Sequence, residues 1–120
     1  MRLQISSVAD KGVADKERII LKVLVDSDIG DFVLLQAGHN ENGVTIAVFH
    51  TLWFPYKKVS NGDLVVVYTK SGTNSENTIA GGRTAHFFYW GIPTPIWNTK
   101  NRAPVLLYAP EWETKAPQEL

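Results

Sequence analysis

The chain has 120 residues, and its 12 lysines and arginines balance its 12 aspartates and glutamates, so the formal net charge is zero. This length fits one domain, and the missing basic excess argues against a dedicated nucleic-acid binder, which needs lysine and arginine to neutralise phosphates. There is no cysteine, which excludes disulfide bonds and thiolate metal sites.

The N-terminal stretch MRLQISSVADKG lacks the apolar run that follows the basic residue of a secretory signal. No stretch of the chain approaches the roughly 20 apolar residues that a membrane-spanning helix needs. We therefore expect no membrane insertion, and these two features favour a cytoplasmic location.

Short apolar segments rich in β-branched and aromatic residues follow one another along the chain. They are RLQIS (2–6), RIILKVLV (18–25), DFVLLQ (31–36), VTIAVFHTLWF (44–54), DLVVVYT (63–69), TAHFFYW (84–90) and PVLLY (104–108). No segment keeps the spacing of an amphipathic helix over three turns. The pattern predicts an all-β fold, an immunoglobulin-like antiparallel β-sandwich of about seven to nine short strands.

Turn residues separate these segments. Asn42-Gly43 is a favoured pair for a tight hairpin turn, and Pro55 ends the fourth segment because proline cannot donate to a sheet ladder. Residues 71–84 are small and polar and are predicted to form a long, flexible connection. We assign residues 1–112 to a single domain and predict that residues 113–120, charged and interrupted by proline, form a disordered tail.

Three passages resemble the lamin-tail domain family. DIGDFVL (28–34) is similar to its Asp-Leu-Ser-Gly-Trp-x-Leu motif, with Phe32 in place of the tryptophan. FPYKKVSNGDLVVVYTKSGT (54–73) resembles its Phe-Pro, turn and strand ending in a Thr-Gly-Ser-Gly-Thr-like turn, and FFYWGIPTPIWNT (87–99) its Leu-Tyr-Trp-Gly and Pro-Val-Trp-Asn. The likeness implies an immunoglobulin-like module of the kind found in intermediate-filament tails, here of the bacterial type.

Aromatic residues of these passages are the predicted core. The residues expected to close the sandwich are Phe32, Phe54, Tyr89, Trp90 and Trp97. Alternate residues of a strand face opposite sides, so Phe87 and Tyr89 are expected on one face and His86, Phe88 and Trp90 on the other. We expect His86 to pack at a strand edge with a hydrogen bond to the backbone.

The sequence carries no recognisable catalytic motif. It lacks the Gly-x-Ser-x-Gly elbow of serine hydrolases, and AGGRT (80–84) lacks the Gly-Lys-Ser/Thr ending of a phosphate-binding loop. The histidines are too far apart in sequence to form a close pair of metal ligands. Asp26, Asp28 and Asp31 crowd one turn, but the distal glutamate of a calcium loop is missing. We predict no catalytic residue, no metal site and no cofactor.

The expected function is that of a non-catalytic interaction module that recognises a protein or associates with itself through loops 71–84 and 92–102. The candidate binding residues are Arg83, Thr84, Lys100, Arg102, Trp53, Tyr56 and Trp112. If RIILKVLV formed an exposed edge strand, a dimer would cover it.

Two alternatives remain open at the level of sequence. A carbohydrate-binding sandwich would stack sugar on Trp53, Tyr56 and Trp112, which needs an exposed coplanar pair of rings. A DNA-binding module would use a local basic surface, for which the candidates are Lys57, Lys58, Lys70, Arg83, Lys100 and Arg102.

Overall fold

In a computed structural model, which describes residues 1–120, the chain forms strands joined by turns and three short 3-10 segments. The strands are β1 (Leu3–Ala9), β2 (Arg18–Val23), β3 (Ser27–Asp28), β4 (Phe32–Asn40), β5 (Gly43–Trp53), β6 (Lys58–Val59), β7 (Leu64–Tyr68), β8 (Ser75–Thr78), β9 (Thr84–Tyr89) and β10 (Arg102–Tyr108). The 3-10 segments are Ile29–Asp31, Ala80–Gly82 and Pro117–Glu119. No helix has the length and apolar character needed to cross a bilayer.

All seven segments predicted as strands are strands, so the all-β prediction is confirmed. They form a five-stranded sheet in the order β1-β2-β7-β9-β8 and a three-stranded sheet in the order β10-β4-β5, while β3 pairs with β6 alone. Residues of both larger sheets meet in one core, which makes the architecture sandwich-like.

One strand pair departs from the predicted antiparallel arrangement. β7 and β9 run parallel, with Val65 beside His86 and Val67 beside Phe88. The chain passes from β7 to the sheet edge, forms β8 there and returns as β9 between the two. Residues 71–84 are thus not a plain flexible connection, because they include an edge strand and a 3-10 turn. The sequence of β8, SENT, has no apolar residue and gave no strand signal.

The core is a single cluster of 14 buried apolar residues. The five-stranded sheet contributes Leu3, Ile19, Leu21, Val23, Val65, Val67 and Phe88, and β4 contributes Phe32 and Leu34. The remaining members lie in connections and in β6, and they are Ile29, Phe54, Val59, Ile96 and Trp97. Each large aliphatic or aromatic side chain buried in this way stabilises the fold by about 1.5–3 kcal/mol.

The predicted core aromatics divide into two groups. Phe32, Phe54 and Trp97 are buried, and Trp90 is half-buried against the core cluster. Tyr89 lies outside the core, because odd positions of β9 point to the outer face of the sheet. There its ring stacks on the Tyr68 ring with centroids 5.3 Å apart. The expectation that Tyr89 closes the sandwich is therefore wrong.

The segment RIILKVLV is not an edge. Its strand β2 lies between β1 and β7 and is paired on both sides. The edges of the two larger sheets are β1, β8, β5 and β10. Edge pairing through β2 is thus unavailable to a second copy, and any association has to use other strands.

Candidate functional site

The outer face of the three-stranded sheet is uncharged throughout. Cross-strand pairing places the same-face residues in three rows, Leu107-Val33-Trp53, Val105-Leu35-Thr51 and Ala103-Ala37-Val48. Only Thr51 among them carries a polar side chain, and we call these nine residues the outer face. Antiparallel sheets commonly bury one face and present a polar face to water, so an apolar second face is unusual.

The outer face of the five-stranded sheet combines two cations with apolar residues, among them Ile20, Val66 and Phe87. Arg18 and Lys22 of β2 lie on it, and the Arg18 guanidinium sits 5.8 Å from the centroid of the Tyr68 ring. Lys70 approaches the same ring to 5.2 Å. On this side two cations lie near the Tyr68 ring, whereas no cation contacts the ring of Trp53, the one aromatic residue on the outer face of the three-stranded sheet.

Three candidate binding residues converge at one end of the outer face, around Gly30. Trp53 Nε1 donates to the carbonyl oxygen of Gly30 at 3.0 Å, and Tyr56 packs so closely over Gly30 that a Cβ there would lie 2.7 Å from Tyr56 Cα. The Trp112 ring meets the Trp53 ring edge-on, with centroids 5.0 Å apart. All three rings remain exposed to water. We call Trp53, Tyr56 and Trp112 the aromatic cluster.

The cluster does not form a flat platform. The Trp53 and Trp112 rings are inclined at 89° to each other, so the two do not offer the coplanar faces on which a sugar could stack. The same exposed rings suit a protein partner, since tryptophan and tyrosine are the side chains that most often dominate protein interfaces.

The basic candidates are dispersed and engaged locally. Lys57 Nζ lies 2.8 Å from Glu76 Oε1, and Lys58 Nζ lies 3.8 Å from Asp28 Oδ2. Arg83 Nε donates to the carbonyl oxygen of Ala80 at 2.9 Å. With lysines paired to carboxylates, the surface offers no continuous stripe of unpaired positive charge for a phosphate backbone.

The remaining loop candidates lie apart from the aromatic cluster. The Thr84 amide donates to Asp63 Oδ1 at 3.0 Å at the start of β9, and Lys100 lies exposed in the turn before β10. The Arg102 guanidinium stacks on the Phe49 ring at 3.3 Å from its centroid. That contact spans the sheet across Gly38, which stands opposite Arg102 and has no side chain in the way.

Glu17 is a buried carboxylate whose two oxygens are both occupied. Its Oε1 accepts from the amides of Gly12 and Trp97, and its Oε2 accepts from the Ile96 amide and the Thr69 hydroxyl. Burial raises the pKa of Glu17, but the four hydrogen bonds outweigh it and hold the pKa below its ordinary value. The carboxylate ties three distant segments together and has no oxygen left for a substrate.

Asp63 and His86 form a second buried polar pair. His86 Nε2 donates to Asp63 Oδ2 at 2.9 Å, and the same carboxylate accepts from the Ser60 and Thr84 amides. Burial raises the pKa of Asp63, but these hydrogen bonds and the His86 ring lower it overall. His86 is bonded to a side chain in the interior, which corrects the expectation of a backbone contact at a strand edge.

The crowded aspartates border an open cavity of about 410 Å³. Its lining includes Asp26, Asp28, Asp31, Arg2 and Lys58. Asp28 Oδ1 accepts from the Gly30 and Lys57 amides, so it serves the backbone turn. No group of three or more carboxylate, histidine or cysteine side chains is arranged to hold a metal ion.

Sequence reasoning found Trp53 but missed the other eight residues of the outer face. The signal was present, because VTIAVFHTLW and PVLLY are apolar at both odd and even positions, which a strand with one wet face does not need. Glu17 gave no such signal, since a lone glutamate before a strand is an ordinary surface residue. Only the approach of residues 96–97 reveals its role.

Comparisons with known proteins give no assignment, since no protein-family model matches the chain and no curated protein matches it. The resemblance to lamin-tail domains stays a prediction from the motifs. The outer face and the aromatic cluster are the features on which a function can be argued.

Proposed function

We propose that the chain is a non-catalytic interaction module of lamin-tail type, with an immunoglobulin-like sandwich, that binds a protein partner through the outer face. The uncharged character of all nine outer-face residues carries the proposal, and eight of them are partly or largely exposed, Ala37 being buried. An apolar surface of this kind marks an interaction site more often than a solvated one, because water exposure of contiguous apolar area is unfavourable. Association with a partner removes it from water.

The aromatic cluster gives this surface its expected centre of binding energy. Trp53 belongs both to the outer face and to the cluster, so the two surfaces are continuous. Its indole is held in place by the hydrogen bond to Gly30 and by the contact with Trp112. A ring that is already ordered loses little side-chain entropy on binding, which favours affinity.

The lamin-tail assignment has support from the positions of its motifs. DIGDFVL (28–34) forms the 3-10 turn and the start of β4, with Ile29 and Phe32 fully buried. The later motif, 87–99, contributes Phe88, Ile96 and Trp97 to the core. Motif residues in these places shape the sandwich, which is consistent with a family defined by its fold.

The buried ionisable groups support a non-catalytic role. The carboxylates of Glu17 and Asp63 are saturated by hydrogen bonds from the chain itself. Catalysis needs such groups to converge on a space where a substrate can sit. The alternatives also have weaker support, since the perpendicular indoles do not suit a sugar face and the lysines pair with carboxylates.

Substitution within the outer face tests the proposal. Leu107 and Val13 are equally exposed, at 42 %, but Val13 lies in the connection between β1 and β2, outside the outer face. Proteins captured from an extract of the source organism by the wild-type domain are identified, purified and titrated by calorimetry. We expect Leu107→Lys to weaken binding at least about tenfold and Val13→Lys to leave it unchanged. A purified partner that binds both variants like wild type, or no saturable binder, contradicts the proposal.

A further inference from the structure

The distal part of β5 projects an apolar arm from the sandwich. Residues 44–49, VTIAVF, carry no charge, and Val44, Ile46, Val48 and Phe49 are all exposed. The Ile46 side chain is as open as in an extended chain, with an exposed fraction of 102 %. The hairpin formed with β4 ends in a turn that carries the exposed Glu41. We call residues 40–49 the arm.

The arm is pushed outward by irregular pairing. His50 pairs with Gln36 and Val48 with Ala37, but the next pair is Val44 with His39, so β5 is longer here than β4. The extra chain passes over Gly38, where a Cβ would clash with Thr45 Oγ1. Such bulges bend an edge strand and re-aim its side chains, which explains the exposure of Ile46.

The arm is also an open sheet edge. Nearer the sandwich, Trp90 Nε1 donates to the Thr51 carbonyl oxygen and covers the edge of β5. Along residues 44–49, the backbone makes no hydrogen bond beyond the β4 ladder other than that from the Ala47 amide to Thr45 Oγ1. Its outward N–H and C=O groups can therefore pair with another chain.

An apolar groove lies elsewhere on the same molecule. It has a volume of about 380 Å³ and lies between β1 and β10, the edges of the two larger sheets. The side chains that line it are uncharged, and they belong to Met1, Leu3, Gln4, Ile5, Leu24 and Leu106. The groove thus exposes part of the sandwich interior between two unpaired edges.

On both walls of the groove, backbone N–H and C=O groups point away from the neighbouring strand of their own sheet. The Leu24 amide donates to the Arg2 carbonyl, so the alternation of an antiparallel ladder leaves the N–H and C=O of Leu3 and Ile5 directed away from β2. The His39 amide donates to the Asn101 carbonyl, so the same alternation directs the backbone groups of Leu106 away from β4. A strand laid in the groove finds hydrogen-bonding partners as well as apolar side chains.

We propose that the arm of one copy docks in the groove of a second copy, adding a strand beside β1 or β10. The side chains of residues 44–49 and those lining the groove are uncharged, so their contact buries no charged side chain. Their borders are complementary, since Glu41 lies at the tip of the arm and the exposed Lys22 is the cross-strand partner of Gln4 in the groove wall. Zero net charge adds no repulsion between copies.

This contact uses two different surfaces of the chain, so it is heterologous. Each copy that docks its arm keeps a free groove, and each copy that receives an arm keeps its own arm free. Such head-to-tail association continues into rings or filaments. The inference goes beyond the proposed function, because the arm shares only Val48 with the outer face and neither the arm nor the groove includes Leu107 or the aromatic cluster.

Complementation between two variants tests the inference. Ile46→Lys places a charge on the arm, and Leu24→Lys places one in the groove, where Leu24 is 44 % exposed and outside the core. Neither change should affect folding, which thermal unfolding checks, and Val13→Lys serves as the matched surface control. Sedimentation equilibrium should show the weight-average mass of wild type and of the control rising above 13.4 kDa with concentration.

Each of the two lysine variants alone should associate at least about tenfold more weakly than wild type. An equimolar mixture retains one intact arm and one intact groove, so it should form a complex of two chains that goes no further. The inference fails if wild type stays monomeric at about millimolar concentration, if Leu24→Lys assembles like wild type, or if the mixture stays monomeric. Leu107→Lys should assemble normally, which separates this result from the test of the outer face.

Discussion

The Glu17 carboxylate accepts a hydrogen bond from the backbone amide of Trp97 at 3.0 Å, across 80 residues of sequence. The same side chain holds the neighbouring Ile96 amide and the Thr69 hydroxyl. One buried charge therefore fixes the aromatic loop after β9 against the end of β7 and the turn before β2. The loop that carries Trp97 into the core depends on this carboxylate.

Replacing Glu17 with glutamine should destabilise the domain by about 2–3 kcal/mol, because an amide group then faces amide donors and leaves buried hydrogen-bonding groups unsatisfied. Urea denaturation followed by tryptophan fluorescence measures the change in the free energy of unfolding. Glu41→Gln, at an exposed turn position, is the control and should change it by less than about 0.5 kcal/mol. Equal effects of the two substitutions would contradict a structural role for Glu17.

The two buried carboxylates predict a loss of stability in acid. The pKa values of Glu17 and Asp63 lie below their ordinary values of 4.5 and 3.8 in the folded chain. The unfolded chain therefore binds protons at a higher pH than the folded chain, so both groups stabilise the fold above those values. Their contribution should disappear as the pH falls below about 4 and through the folded pKa values.

Thermal unfolding between pH 7 and pH 3, followed by circular dichroism, measures this dependence. The melting temperature of wild type should fall steeply at the acid end. Glu17→Gln has one fewer group to protonate, so its melting temperature should start lower at pH 7 and fall less on acidification. A parallel decline of both proteins would show that Glu17 does not titrate in this range.

Truncation of Trp97 should be among the most damaging single changes in the core. Its ring is buried, and its indole N–H has no hydrogen-bond partner, so Trp97→Ala removes packing alone. We expect a loss of about 3–5 kcal/mol in the free energy of unfolding. Trp112→Ala removes an exposed ring and should cost less than about 1 kcal/mol. A Trp97→Ala variant with wild-type melting would overturn its place in the core.

Addition of one methyl group at Gly30 should disturb the aromatic cluster. A Cβ at this position would lie 2.7 Å from Tyr56 Cα and 2.4 Å from Tyr56 Cδ1, so backbone as well as side chain must move. Gly30→Ala should therefore destabilise the domain by about 1–3 kcal/mol and shift the Trp53 fluorescence, since Trp53 donates to Gly30. Tyr56→Ala should leave stability nearly unchanged. Unaltered stability and fluorescence in Gly30→Ala would contradict the close packing.

The sequence was sufficient for the strand content and for most of the core. Apolar segments bounded by turn residues mark all seven of the longer predicted strands, because burial of β-branched and aromatic side chains is a local compositional demand. The alternation in TAHFFYW also put Phe87 and Phe88 correctly on opposite faces of the sheet. The prediction that Tyr89 is a core residue was wrong, because it came from the family resemblance and not from the alternation.

The candidate site was predictable only in part. Trp53, Tyr56 and Trp112 are among the predicted binding residues, yet nothing in the sequence indicates that they meet near Gly30. Arg83 and Thr84 belong to residues 71–84, which are predicted to form a flexible loop but contain β8. This polar strand is held by backbone pairing with β9. A strand held by backbone hydrogen bonds alone has no apolar pattern from which it can be predicted.

Composition and local pattern by themselves determined that this chain is an all-β domain, since each strand carries its own turn signals and its own apolar side chains. The tertiary structure decided which strands lie at edges, which apolar face stays open and where Glu17 is buried. The physical reason is that these properties belong to pairs of segments far apart in the chain. Whether the second face of β4 is covered depends on what packs there, and whether a carboxylate can be buried depends on the amides that reach it.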